Sequence, residues 1–119
     1  IKVDERGRAL FLVRDDETTR FDEPIPIEIK DINIGGVFMV CDYLFQEDDF
    51  VCIDIDLFID YRLNAVVRIL RVAKDEEGNI KGYGCEFQGL TASQEDYIGK
   101  YIYKAQFAQR QKALEAEEY

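Results

Sequence analysis

Apolar residues over most of the chain recur in short runs bounded by turn residues. Val51–Leu57 places four aliphatic residues on one face, and Pro24–Lys30 does the same with three isoleucines, which is the period of a β-strand. Further strand-like runs are Arg8–Arg14, Gly36–Tyr43, Arg62–Lys74 and Ile80–Phe87. The acidic segment 15–23, DDETTRFDE, predicts a surface loop or turn. About six strands separated by turns predict a β-sandwich or a β-barrel.

The period changes to that of an α-helix after Thr91. Two residue pairs supply capping chemistry and favour a helix start at this point: Thr91 with Gln94, or Ser93 with Asp96. We expect this helix to pack its aromatic residues Tyr97, Tyr101 and Phe107 against the strands.

The length of 119 residues predicts one domain, with a barrel over about 8–90 and a helix over 91–116. Because the chain does not begin with Met, we expect it to be a piece of a longer protein. No apolar run approaches the roughly 20 residues of a membrane span. The three cysteines lack metal-ligand spacing, so we expect buried reduced thiols in a cytoplasmic protein.

Composition narrows the possible functions. The chain has no histidine, which removes the Ser-His-Asp and Cys-His arrangements and the commonest metal ligand, so we expect neither an enzyme nor a metal site. The net charge of -10 argues against binding a nucleic-acid polymer. It leaves room for one small anionic ligand held by local cations, and Lys2, Arg6 and Arg8 crowd the N-terminus.

The segment Asp31–Gly36, DINIGG, is the main candidate for a site. Two adjacent glycines let a ligand approach the backbone closely, and the carboxylate beside them can accept the N1–H and N2–H groups of a guanine. The N-terminal cations would then meet phosphates or the O6 and N7 atoms of the guanine. The same residues also fit a bulged hairpin closed by an Asx-turn, so the residues alone leave both interpretations open.

Other charged residues are interpreted as surface features. Asp54 and Asp56 share one face of a strand, which predicts a solvated outer surface. Arg68 and Arg71 lie three residues apart, so they should project to opposite faces unless a bulge intervenes. One of these two arginines could reach a ligand at a barrel mouth, although a surface arginine balancing acidic neighbours is the favoured interpretation.

These segments resemble the PilZ domain, a bacterial receptor module for cyclic di-GMP. The family signature is Asp or Asn, any residue, Ser, two residues and Gly. In this chain Asp31, Asn33 and Gly36 occupy its three positions, with Gly35 also common there. The segment 84–90, GCEFQGL, is a second match, and the order of strands and helix agrees over essentially the whole chain. The resemblance implies a six-stranded antiparallel β-barrel with a C-terminal helix.

The resemblance also implies that cyclic di-GMP binds at the barrel mouth, with no other cofactor. The implied ligand residues are Asp31 and Asn33 at the guanine edges, Gly35 and Gly36 at the close approach, and Lys2 and Arg6 at the phosphates or a guanine face, with Arg8 and Arg68 as possible further contacts. A receptor of this kind acts on a protein effector such as the flagellar or exopolysaccharide machinery. The long helix could also support a homodimer.

Two positions depart from the family's pattern. Asn33 replaces the serine. The family also has two arginines four residues apart. In KVDER, Lys2 takes the first of these positions and Arg6 the second, or, in the other register, Lys2 takes the second position and the first lies before Ile1. Lysine lacks the planar, bidentate fork of arginine. These departures favour an alternative function, a degenerate PilZ module that binds no nucleotide and acts through protein contacts. The retained Asp31 and the glycine pair favour the receptor.

Overall fold

A computed structural model describes residues 1–117 as a closed barrel of six antiparallel strands followed by one helix. The strands are β1 (Lys2–Arg14), β2 (Glu17–Asn33), β3 (Gly36–Val40), β4 (Phe50–Phe58), β5 (Tyr61–Lys74) and β6 (Ile80–Gln88), and the helix is α1 (Ala92–Glu117). Around the barrel the order is β1-β2-β3-β6-β5-β4. The predicted fold class is therefore confirmed.

The first hairpin differs from the sequence-based expectation. Segment 15–23 is not a loop, because only Asp15 and Asp16 form the turn and β2 begins directly at Glu17. Both aspartates have positive φ, 51° and 63°, a conformation that Asp tolerates and that tight hairpins require. The polar residues 17–20 that follow them belong to β2 and pair with β1. Because all four are exposed, no apolar residue alternates with them, and the sequence pattern did not predict a strand here. β1 likewise begins at Lys2, ahead of the predicted start.

The barrel interior is filled by the aliphatic face of each strand. On β4, Val51, Ile53 and Ile55 are fully buried and Leu57 nearly so, as their alternation predicts. Between them, Asp54 and Asp56 point outward, where Asp56 pairs with arginine side chains. Of the three free cysteines, Cys52 and Cys85 are buried and Cys41 is half-buried.

Helix α1 begins with the first of the two predicted caps, Thr91 with Gln94. The Gln94 N–H donates to Thr91 Oγ1 at 3.1 Å, and the Thr91 N–H donates to Gln94 Oε1 at 3.0 Å. Tyr101 packs into the core, and Tyr97 stacks on a tyrosine of β5 with ring centroids 3.9 Å apart. The packing prediction is wrong for Phe107, which lies farther along α1 and is 55% exposed.

Candidate ligand site beside the second hairpin

Cross-strand pairing lines up five residues on the outer wall of the barrel. Lys2 of β1 pairs with Asp31 of β2, Asp31 with Phe38 of β3, Phe38 with Gly84 of β6, and Gly84 with Arg71 of β5. Directly paired residues point to the same side of a sheet, so these five side-chain positions share one face. We call this set the cross-strand row. It combines a cation at each end with a carboxylate and an aromatic ring between them.

The β2–β3 hairpin beside this row is closed by Asn33. Its side-chain Oδ1 accepts the N–H of Gly35 at 2.8 Å and the N–H of Gly36 at 2.9 Å, which is the Asx-turn considered from the sequence. Neither Ile34 nor Gly35 has positive φ. A turn that begins with Asn and ends with Gly accepts most residues at its second position, which explains the isoleucine.

Gly36 is required by the barrel itself. A Cβ at this position would collide with the carbonyl oxygen of Cys85 on β6. The carbonyl of Gly35 accepts the N–H of Phe87 at 2.8 Å, which ties the turn to the same strand. Close packing of the hairpin on β6 therefore gives Gly36 a structural function, whatever the site binds.

A cavity of about 760 Å³ opens along the cross-strand row. Its wall includes all five row residues and the hairpin residues Asn33, Gly35 and Gly36, together with Lys30, Leu70 and Glu86. This volume lies in the range of small-ligand sites. The Asp31 side chain is 43% exposed, so its carboxylate can be reached by a ligand.

The cations of the site differ in how strongly they are engaged. Within residues 1–117, Lys2 and Arg71 form no salt bridge. Lys30 donates to Asp4 at 2.8 Å and lies 3.1 Å from a Glu28 oxygen, and these hydrogen bonds raise its pKa. Lys2 and Arg71 are therefore the side chains with charge available to an anion.

The other predicted arginines lie outside the wall of the cavity. Arg6 is exposed farther along β1, beside Glu28 of β2. Arg8 donates to Asp56 at 2.8 Å, and Arg68 donates to Asp48 at 2.6 Å. The structure thus brings together Lys2, Asp31, Asn33, Gly35 and Gly36, but not these three arginines.

Arg71 is the cation that the sequence did not assign to this site. The β5–β6 register shifts between Ile69 and Arg71, so Leu70 occupies a bulge. This extra residue turns Arg71 to the outer face that Arg68 also occupies, which is the exception anticipated for residues three apart. A bulge in a long strand leaves little mark in the hydrophobic pattern, because Leu70 continues the aliphatic run and only the structure shows that it is 49% exposed.

Helix α1 contacts the strand that supplies Lys2. Gln109 Nε2 donates to the backbone carbonyl of Lys2 at 2.8 Å, and the Tyr101 hydroxyl donates to Glu5 Oε1 at 2.8 Å. These two hydrogen bonds join the first part of β1 to the helix.

The described residues, 1–117, contain no group of three or more His, Cys, Asp or Glu side chains able to hold a metal ion. In the same part of the chain, α1 lacks the apolar stretch that a helix needs to cross a bilayer.

Comparison with known proteins agrees with this architecture. Among solved structures, the chain is similar to the "PilZ domain with c-di-GMP of YcgR from Escherichia coli", with a TM-score of 0.67 and 12% sequence identity over 92% of this chain and 87% of that one. A search of curated proteins gives no match. The barrel and helix thus define a PilZ-like fold. The PilZ domain family model matches residues 8–104, and the chain belongs to that family.

Proposed function

We propose that this PilZ domain is a receptor module that binds cyclic di-GMP in the cavity along the cross-strand row. The observation that carries the proposal is the position of Asp31, an exposed carboxylate paired with Lys2 and Phe38 beside a glycine hairpin. Guanine offers two adjacent N–H donors to a carboxylate, while the ligand's phosphates need a cation. The row supplies both groups on one face.

Each hairpin residue has a defined part in this binding mode. Asp31 accepts the N1–H and N2–H groups of one guanine. Asn33 keeps its Oδ1 in the turn and offers its amide N–H groups to the ligand. Gly35 has no side chain in the way of an approaching base, and Gly36 holds the hairpin in place. Lys2 meets a phosphate, and Arg6, Arg8 and Arg68 add positive charge only at longer range.

Binding would be relayed through β1 and α1. A phosphate drawn to Lys2 shifts the start of β1. The hydrogen bonds that join β1 to Gln109 and Tyr101 pass that shift to the helix. The output of such a module is a protein contact rather than catalysis. We propose a cytoplasmic effector of the flagellar or exopolysaccharide machinery as the partner.

Calorimetric titration with cyclic di-GMP at moderate salt tests the proposal, in a protein that includes the natural residues before Ile1. Asp31→Ala should weaken binding at least tenfold, which corresponds to about 1.4 kcal/mol. Asp22→Ala is the matched control, because Asp22 is an exposed carboxylate on the same strand and outside the cavity. Absence of heat at high micromolar ligand would refute the receptor function. Equal affinity of Asp31→Ala and wild type would refute the assigned site.

A second candidate function is a PilZ module that binds no nucleotide and acts through protein contacts. The observation in its favour is an apolar stripe on the far side of α1, where Tyr103, Phe107 and Leu114 are 74%, 55% and 56% exposed. This stripe could take a partner protein or the same helix of a second copy. Sedimentation of the titrated samples distinguishes these cases: a ligand-independent dimer without binding heat supports this function, and a monomer that binds the nucleotide opposes it.

A further inference from the structure

The side chains of Arg71 and Phe38 lie next to each other over a stretch of β6 that presents only glycines on this face. The guanidinium carbon of Arg71 lies 5.7 Å from the centroid of the Phe38 ring. Below them are two glycines: a Cβ on Gly82 would come within 2.6 Å of the Phe38 ring, and one on Gly84 within 3.0 Å of Arg71 Cγ and Nε. Both side chains therefore occupy space that only glycine leaves free.

The position of Arg71 suits stacking better than phosphate capture. Its side chain passes close to Gly84, and its guanidinium carbon lies 5.7 Å from the centre of an aromatic ring. No carboxylate within residues 1–117 forms a salt bridge with it. A planar, delocalised guanidinium in this position presents a face on which a base can lie, whereas Lys2 is a point charge suited to a phosphate.

The row also sets the spacing between this pair and the carboxylate. Arg71 and Asp31 are three strands apart, so their backbones are separated by about 14 Å at roughly 4.8 Å per strand. Phe38 is paired directly with Asp31 and fills the interval. A ring lying over Phe38 and Arg71 thus has its edge directed toward Asp31.

We propose that Arg71, backed by Phe38, is the stacking surface for a purine base of the ligand, while Asp31 reads the edge of that base. The inference rests on the proposed function and adds a residue outside both segments that carry the family resemblance. Lys2 cannot provide a planar group, and the proposal places that group on β5. Arg71 determines how tightly a base is held, and Asp31 determines which base is accepted.

The test uses calorimetric titration of cyclic di-GMP with wild type, Arg71→Lys, Gly84→Ala and the double variant. Arg71→Lys keeps the charge and removes the plane, so the dissociation constant should rise about tenfold or more. Gly84→Ala leaves Arg71 in the chain, but a Cβ 3.0 Å from Arg71 Cγ and Nε must displace that side chain by a few tenths of an ångström, so this variant should weaken binding less than Arg71→Lys does. Because both changes act through one side chain, the double variant should bind about as weakly as Arg71→Lys alone.

Arg62→Lys is the matched control, since Arg62 is an exposed arginine of β5 that pairs with Asp56 outside the cavity. Thermal unfolding of every variant shows whether a loss of binding reflects a loss of folding. If wild type binds cyclic di-GMP and Arg71→Lys binds it with the same affinity, the stacking function is overturned and the receptor function stands. Additive losses in the double variant would also overturn it. Absence of binding by wild type would overturn both proposals.

Discussion

Gly35 and Gly36 are neighbours in the hairpin, yet the barrel constrains them differently. A Cβ on Gly36 would collide with the Cys85 carbonyl oxygen and would lie 3.0 Å from the carbonyl carbon and 3.2 Å from Glu86 Cα. These are backbone atoms of β6 and cannot rotate away. A Cβ on Gly35 would meet only Asn33 Oδ1, at 3.3 Å. Gly36→Ala must therefore separate β3 from β6, whereas Gly35→Ala need not.

The expected costs follow from this geometry. Overpacking typically costs 1–3 kcal/mol, and a clash with backbone on both strands should reach the upper end, about 3 kcal/mol for Gly36→Ala. At roughly 4 °C per kcal/mol for a domain of this size, Tm should fall by about 12 °C. Gly35 does not have positive φ, so Gly35→Ala should stay within about 1 kcal/mol of wild type.

Thermal and urea unfolding followed by far-UV circular dichroism measure both variants against wild type. Calorimetry with cyclic di-GMP below the unfolding transition then separates folding from binding: Gly35→Ala should stay folded and bind more weakly. If Gly36→Ala unfolds within 1 kcal/mol of wild type, close packing on β6 is not the reason for that glycine. If Gly35→Ala binds as tightly as wild type, the base does not approach the turn.

Two further predictions concern buried ionisable groups. Asp49 is 1% exposed and accepts two hydrogen bonds from Arg14, at 2.7 and 2.8 Å. Burial raises the pKa of Asp49, but the hydrogen bonds from Arg14 and Gln46 outweigh burial, so the pKa is lowered overall. The pair should therefore stabilise the fold above pH of about 4 and lose this contribution as the pH falls through the lowered pKa. Asp49→Asn should cost about 2 kcal/mol at pH 7, because it weakens the charged hydrogen bonds with Arg14, and it should flatten the acid limb of the stability profile. A stability profile parallel to that of wild type would contradict the assignment. Burial raises the pKa of the Cys85 thiol to about 12. Iodoacetamide at pH 8 should therefore modify Cys85 only after unfolding. Rapid labelling of Cys85 in the folded protein would show that the structure around this thiol opens.

Local patterns in the sequence were sufficient for most of the barrel. Alternation of aliphatic residues specified which face of β4 is buried, and two candidate capping pairs placed the start of α1 within two residues, of which the structure uses Thr91 with Gln94. These features depend on contacts within a few residues or on the two-residue period of a strand, so the chain displays them directly. The polar part of β2 after Glu17 lacks such a period, and the loop expected there was wrong.

The composition of the hairpin site was partly visible in the same way. Asp31, Asn33 and the two glycines are adjacent in sequence, and their arrangement in the cavity follows from one turn. That the turn is an Asx-turn, and that Gly36 faces β6, depended on the strand packed beside it.

Only the tertiary structure decided which cations meet this hairpin. Arg6 was expected from its spacing to Lys2 but lies beyond the wall of the cavity, whereas Arg71, forty residues after Asp31, enters it. The physical reason is that barrel closure and the bulge at Leu70 fix the cross-strand register, and register is a property of strand pairs rather than of any one segment. The sequence by itself thus determined the fold and the hairpin half of the candidate site, and the pairing of distant strands determined its cationic half.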